Sequence, residues 1–246
     1  MAIVHPGHLC SREHPDTRVV ATTLALSLGC TAITLDPRGT HDSRPKTGGA
    51  YDFDQVTEDL IDLSRLVAPP EGLILGGHCL GGAHALAAAA ELVQKEGGPA
   101  PNILCAFTDK TMAESSDFAP LPNVIKRISS GRPLSQQNPT TGRVLLEPKV
   151  DVTPEKFEQY MRLGMIGTHI GLMPDTPVLL AASRDDRDIR YENVRRVAED
   201  FHNAHFLEVP GRHSDIRPEI AQGTGRIIAN WIVGLNSSIK KSVATV

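Results

Sequence analysis

A cysteine stands between two glycines in the stretch LILGGHCLGGAHAL, residues 73 to 86, as Gly77-His78-Cys79-Leu80-Gly81. The apolar run before it reads as a strand and the alanine-rich run after it as a helix, so Cys79 falls on the turn between them. Such a sharp turn thrusts a nucleophile out at the carboxyl end of a sheet, and glycines two residues to either side leave room where a Cβ would clash. The helix N-terminus beneath the sulfur supplies amide donors and a positive dipole end, both of which favour the thiolate. The chemistry is that of a sulfur nucleophile in covalent catalysis. The bland alternative is a small buried thiol. Residue types that assist a nucleophile lie downstream, with Asp185, Asp186 and Asp188 in RDDRDI and His213 in HFLEVPGRHSD.

These residues need a frame to meet. Short apolar or β-branched runs at 2 to 4, 31 to 35, 73 to 77, 102 to 107, 177 to 183 and 205 to 209 predict strands. Segments at 16 to 28, 54 to 67, 80 to 95, 190 to 203 and 215 to 235 carry apolar residues at helical spacing and predict helices between them. Alternation of this kind predicts an α/β fold with a mostly parallel sheet of about six strands and helices on both faces. At 246 residues one domain spanning 1–246 is the preferred reading. The long stretch 111–173 breaks the alternation. Its Pro, Ser, Asn and Gly content and a helix expected from Pro154, capped by Thr153, suggest a lid inserted in the domain, with a disordered surface loop as the alternative. Met161, Met165, Ile166 and Met173 are read either as an apolar ceiling over a site or as core on the lid's underside. The KKSVATV end is expected to fray.

Composition narrows the partners. A formal charge of -4 gives no broad attraction to nucleic acid or anionic membrane, and no run approaches the ~20 apolar residues of a membrane span. The first residues lack the pattern of a secretory signal, so the chain is expected to be cytoplasmic. Four scattered cysteines, Cys10, Cys30, Cys79 and Cys105, form neither a C-x-x-C pair nor a dense disulfide framework, and are read as free thiols. His5, His8, His14, His41 and His78 lack a metal-binding spacing, so no metal and no cofactor is expected. GGHCLGG lacks the G-K-[ST] ending of a phosphate loop.

The segment GHCLGG resembles the G-H-S-L-G-G of the α/β-hydrolase superfamily, with Cys79 in place of serine; the dienelactone hydrolases of that family also carry a cysteine there. DPRGTHDS, residues 36 to 43, is similar to the loop after the family's second strand, with Thr40 to Asp42 replacing its G-x-G feature. The resemblance runs from residue 2 to about 235, leaves the lid unaligned, and lacks the family's first two strands. It implies an acid and a histidine after later strands, in that order. With Ser183 in the place of the usual glycine, Asp186 falls at the acid position and Asp185 is the alternative. His213 follows Pro210-Gly211, as in the family's P-G-x-x-H loop but one residue shorter. The resemblance also implies an oxyanion hole from the N–H of Leu80 and a second donor in His5-Pro6-Gly7-His8; Pro6 has no N–H, so Gly7 or His8 must supply it.

The resulting expectation is a hydrolase or acyl-transfer enzyme with a Cys79-His213-Asp186 triad, acting on a thioester or ester through acyl-Cys79. A thiolate leaving group is already activated, so a cysteine exchanges with a thioester at little thermodynamic cost. A thioesterase, one that could release a polyketide or peptide acyl chain from a carrier protein, is therefore preferred. A dienelactone-type lactone hydrolase and a non-hydrolytic cyclase or binding protein are the rivals. Oligomeric state is not addressed by any of these residues.

Overall fold

A computed structural model describes residues 1–7, 10–43, 52–94, 101–113, 154–213 and 215–243, with side chains from 158 in the 154–164 helix and up to 235 in the last helix. Six strands form its sheet: β1 (Ala2–His5), β2 (Ala32–Thr34), β3 (Leu73–His78), β4 (Ile103–Asp109), β5 (Val178–Ala182) and β6 (Ala204–Glu208). They are ordered β2-β1-β3-β4-β5-β6 and every neighbouring pair is parallel. Parallel neighbours need crossovers, which the helices supply. These are α1 (Pro15–Leu28), α2 (Phe53–Val67), α3 (Leu80–Gln94), α4 (Pro154–Gly164), α5 (Ile166–Gly171), α6 (Tyr191–Asp200) and α7 (Pro218–Val243).

The two-residue period of the strands divides the core into two layers. Ile3, Leu73, Leu75, Val178 and Leu180 face α2, α3, α5 and α6, whereas Ala2, Val4, Ile74 and Leu179 face α1 and α7. All nine are buried, and each full burial of a Leu, Ile or Val contributes roughly 1.5–3 kcal/mol. Local signals set the helix ends. His14 accepts the Asp16 N–H at the start of α1, Pro15 takes the first position, and Gly29 closes the helix at φ 62. Asp52 Oδ1 accepts the Gln55 N–H at 2.9 Å to cap α2.

The chain turns from β1 outward to β2 and then returns to β3 on the other side of β1. Loops leaving β1 and β3 therefore diverge at their carboxyl ends, the place where open α/β sheets form a crevice for ligands.

The expected lid meets the described residues only at 111–113 and 154–173. There α4 begins at Pro154, Ile166 and Met173 are fully buried in the core, Met161 packs partly against it, and Met165 is 46% exposed. Of the four residues weighed as a ceiling, two are thus core. The remainder of the insertion and Thr153 lie outside the described residues. The last helix runs to Val243, beyond the expected end at 235 and into the stretch expected to fray.

Candidate active site

The turn after β3 is built as its glycines require. Cys79 has φ 51, a region rarely adopted by residues with a side chain and one that stores strain at functional turns. Three hydrogen bonds hold it there: Cys79 N donates to Asp109 O at 2.8 Å, and Cys79 O accepts from Gly82 N at 3.0 Å and Thr111 Oγ1 at 2.7 Å. A Cβ on Gly81 would lie 2.2 Å from Pro6 O, and one on Gly77 would lie 2.5 Å from the Gly81 carbonyl carbon. The bare glycines let the turn nest against the end of β1.

Two further loops reach this point. Beyond β5, Asp186 Oδ1 accepts the N–H groups of Asp188 at 2.8 Å and Ile189 at 3.0 Å. Its Oδ2 accepts from His213 Nδ1 at 2.9 Å. His213 leaves the β6 loop through Gly211, at φ 87, and its side chain is 13% exposed, against 1% for that of Asp186. The imidazole also lies close enough to the turn at Cys79 for the ring and the thiol to shift each other's ionisation. Cys79, His213 and Asp186 thus converge from three distant segments. Asp185 and Asp188 are exposed.

Charges follow from these contacts. Burial alone would push the Cys79 thiol up, but His213, His78 and the Leu80 N–H outweigh it and hold the thiol below its ordinary value. Burial would lower His213; Cys79 and Asp186 instead hold it well above the usual histidine range. Burial likewise opposes ionisation of Asp186, yet the bond from His213 and two backbone N–H groups keep its carboxyl below the usual value. The geometry can form a thiolate–imidazolium pair backed by a carboxylate.

The residues expected to form an oxyanion hole fall partly among the described residues. The Leu80 N–H favours ionisation of the Cys79 sulfur, and Leu80 itself is fully buried. Gly7 lies beside the turn, since a Cβ placed on it would be 3.3 Å from Cys79 Cβ and 3.2 Å from His78 Cδ2. His8 lies outside the described residues.

The model of the Alpha/beta hydrolase family matches residues 3–219. The chain belongs to the alpha/beta hydrolase family. No functionally curated protein matches its sequence. Among solved structures, the fold of this alpha/beta hydrolase is similar to the esterase domain of a Rhodothermus marinus protein (20% identity, TM-score 0.59, covering 94% of this chain and 85% of that one). It is also similar to the Paleococcus ferrophilus monoacylglycerol lipase (19% identity, TM-score 0.61, 95% and 94% covered). A third likeness is to the thioesterase domain from the curacin biosynthetic pathway (14% identity, TM-score 0.57, 94% and 90% covered).

Sequence reasoning missed a buried polar cluster behind Cys79. His78 Nδ1 lies 3.0 Å from Asp109 Oδ2 and His78 Nε2 lies 3.6 Å from Asp16 Oδ2, while Lys110 Nζ lies 3.5 Å from Asp109 Oδ2. All four residues are at most 1% exposed. Asp16 comes from α1 and the Asp109-Lys110 pair from the end of β4, so no short motif links them to His78. The sequence offered only a histidine at an inward strand position.

Two groups of potential metal ligands occur among the described residues, Asp16-His78-Asp109 and Asp186-Asp188-His213, each with its ligand atoms within 4.8 Å of one another. In the first, the Lys110 ammonium already supplies positive charge; in the second, His213 Nδ1 is committed to Asp186. No helix among the described residues is long and apolar enough to cross a membrane.

Proposed function

We propose that the chain catalyses acyl transfer from a thioester or ester to water through an acyl-Cys79 intermediate. The Cys79 thiolate attacks the carbonyl carbon, forming a C–S bond as the carbonyl electron pair moves to oxygen. The Leu80 N–H, with Gly7 or His8, stabilises that oxyanion. Collapse expels the thiol or alcohol with a proton from His213. Water then attacks acyl-Cys79 while His213 takes its proton; the acid departs and the thiolate–imidazolium pair is restored. Asp186 keeps the imidazole in the tautomer that this traffic needs.

The observation that supports this reading is the convergence of Cys79, His213 and Asp186, with the imidazole bonded to the carboxylate and its charge acting on the sulfur. A cysteine nucleophile favours a thioester, because an oxygen-ester adduct tends to expel the thiolate again, and the likeness to the curacin thioesterase domain agrees with that class. The acyl group is delivered by a small thioester or a carrier protein, and the 111–173 insertion serves as its cap.

The test is intact-protein mass spectrometry after mixing with acyl thioesters, oxygen esters and lactones. A mass increase equal to the acyl group, absent in Cys79→Ala, is the expected result. Turnover of lactones alone would replace this reading with the lactone hydrolase, and no adduct or turnover with any class would leave a binding protein.

A further inference from the structure

Cys10 is a nucleophilic side chain that the acyl-transfer steps leave unused. It is 3% exposed, and its N–H donates to the Gly7 carbonyl at 3.0 Å, which folds the chain back over Gly7 just beyond β1. A Cβ placed on Gly7 would lie 3.5 Å from the Cys10 sulfur, 3.3 Å from Cys79 Cβ and 3.2 Å from His78 Cδ2. Both cysteines thus border one point, and Gly7 puts no side chain there. A charge on Cys79 adds to burial in holding the Cys10 thiol well above its ordinary value, an effect that needs the two sulfurs to be close.

The other cysteines are placed differently. Cys30 and Cys105 pack in the layer under α1 and α7, whereas Cys79 packs against the opposite layer. Cys79 is partly exposed and Cys10 is buried, so an oxidant from solvent meets Cys79 before it meets Cys10. A disulfide brings its Cβ atoms to about 3.5–4.5 Å. The Cys10 sulfur lies no farther from Cys79 Cβ than the two lengths to the Gly7 point combined. Bridging therefore asks for side-chain rotation and a shift of the turn at Gly7, with the sheet left in place.

We propose that Cys10 is the resolving thiol of a redox switch on the acyl-transfer site: hydrogen peroxide oxidises Cys79, and Cys10 then closes a disulfide with it that removes the nucleophile until a dithiol restores it. This rests on the reading of Cys79 as nucleophile. In the first step the Cys79 sulfur attacks one peroxide oxygen, an S–O bond forms as the O–O bond breaks, and the departing hydroxide leaves as water with the thiol proton. Cys79 is now a sulfenic acid. In the second step the Cys10 sulfur attacks the Cys79 sulfur, an S–S bond forms as the S–O bond breaks, and the Cys10 proton leaves with the hydroxyl as a second water. The two sulfurs have supplied the electron pair that reduced the peroxide. Holding Cys10 beside Cys79 makes the second step intramolecular, which favours it over further oxidation of the sulfenic acid. A small dithiol reverses the bridge by exchange and returns both thiols.

The test treats the full chain with hydrogen peroxide and follows it by non-reducing peptide mass spectrometry and acyl-thioester turnover. The expected product is a peptide pair joined through Cys10 and Cys79, with an intact mass lower by two hydrogen atoms. Turnover is expected to fall about tenfold or more and to return on adding dithiothreitol. Cys10→Ala is expected to turn over thioester like the wild type before oxidation. After the same peroxide dose its Cys79 gains oxygen atoms and its activity does not return with dithiothreitol, because the sulfinic acid is not reduced by thiols. Where Cys10→Ala does not fold, the wild-type peptide map decides alone. Oxygen on Cys79 without a bridge to Cys10, or a Cys79 that peroxide leaves unchanged, overturns the proposal. The nucleophile reading fails separately, if wild-type Cys79 takes no acyl group before oxidation, and that result also removes the activity the switch would govern.

Discussion

Asp186 divides its carboxylate between two duties: Oδ2 accepts from His213 Nδ1 at 2.9 Å while Oδ1 accepts two backbone N–H groups of its own loop. The second duty aims the first, because a carboxylate tied to its loop has a fixed direction to offer. Asp185, one residue earlier, is exposed and makes no such pair with His213.

Asp186→Asn is therefore expected to lower acyl-thioester turnover by about 10³ to 10⁴-fold with little change in fold, as loss of the orienting acid leaves the imidazole in the wrong tautomer. Asp185→Asn should stay within about twofold of wild type. Steady-state kinetics of the two variants checks this, and equal losses would reverse the choice of acid.

The pH dependence of alkylation reads the sulfur directly. The Cys79 thiol is held below its ordinary value, so its reaction with iodoacetamide is expected to persist at neutral pH, where Cys105, pushed up to about 12 by burial, stays protonated. In His213→Ala the acid limb for Cys79 should move upward, and its rate at pH 7 should fall about tenfold or more. Peptide mass spectrometry at a series of pH values gives both rates.

Gly81→Ala should destabilise the fold by about 3 kcal/mol or prevent folding, since its Cβ would sit 2.2 Å from the Pro6 carbonyl oxygen and 2.5 Å from that of His5. At Gly234 in α7 an added Cβ would meet no described atom within 4 Å apart from its own helix backbone, so Gly234→Ala should instead stabilise by about 0.5–1 kcal/mol. Urea denaturation of the pair tests whether close approach, and not helix propensity, retains Gly81.

Asp215 steadies the histidine loop: it accepts from Arg212 N at 3.4 Å, Arg217 N at 3.2 Å and Arg217 Nε at 2.8 Å. The bond from Arg217 outweighs partial burial and brings its carboxyl down to about 2. A depressed folded value means stability present above the unfolded value near 4 and lost as pH falls through about 2. Because the Arg217 side chain is 57% exposed, solvent screening limits the contribution to about 1 kcal/mol. Asp215→Asn should lower stability by about that amount at pH 7, with the difference shrinking between pH 4 and 2 in denaturation curves.

Much of this molecule is written locally. The strands and helices were legible because burying one strand face or one helix stripe imposes periods of 2 and 3.6 on the apolar residues, and the turn at Cys79 was legible because its glycines answer a backbone demand within five residues. The helix ends were read less well. Nothing in IKKSV marks whether a helix continues to Val243, since no Gly or Pro stops it.

Which partners meet was decided only by folding. Asp186 and His213 were reached in sequence through the order of loops after β5 and β6, but three aspartates stood within four residues and spacing alone could not aim one carboxylate. The cluster of Asp16, His78, Asp109 and Lys110 had no motif in the sequence beyond a histidine on a strand. Its members sit on α1, β3 and β4, and they become neighbours because the crossovers lay those elements side by side and burial then obliges each charge to find an opposite one.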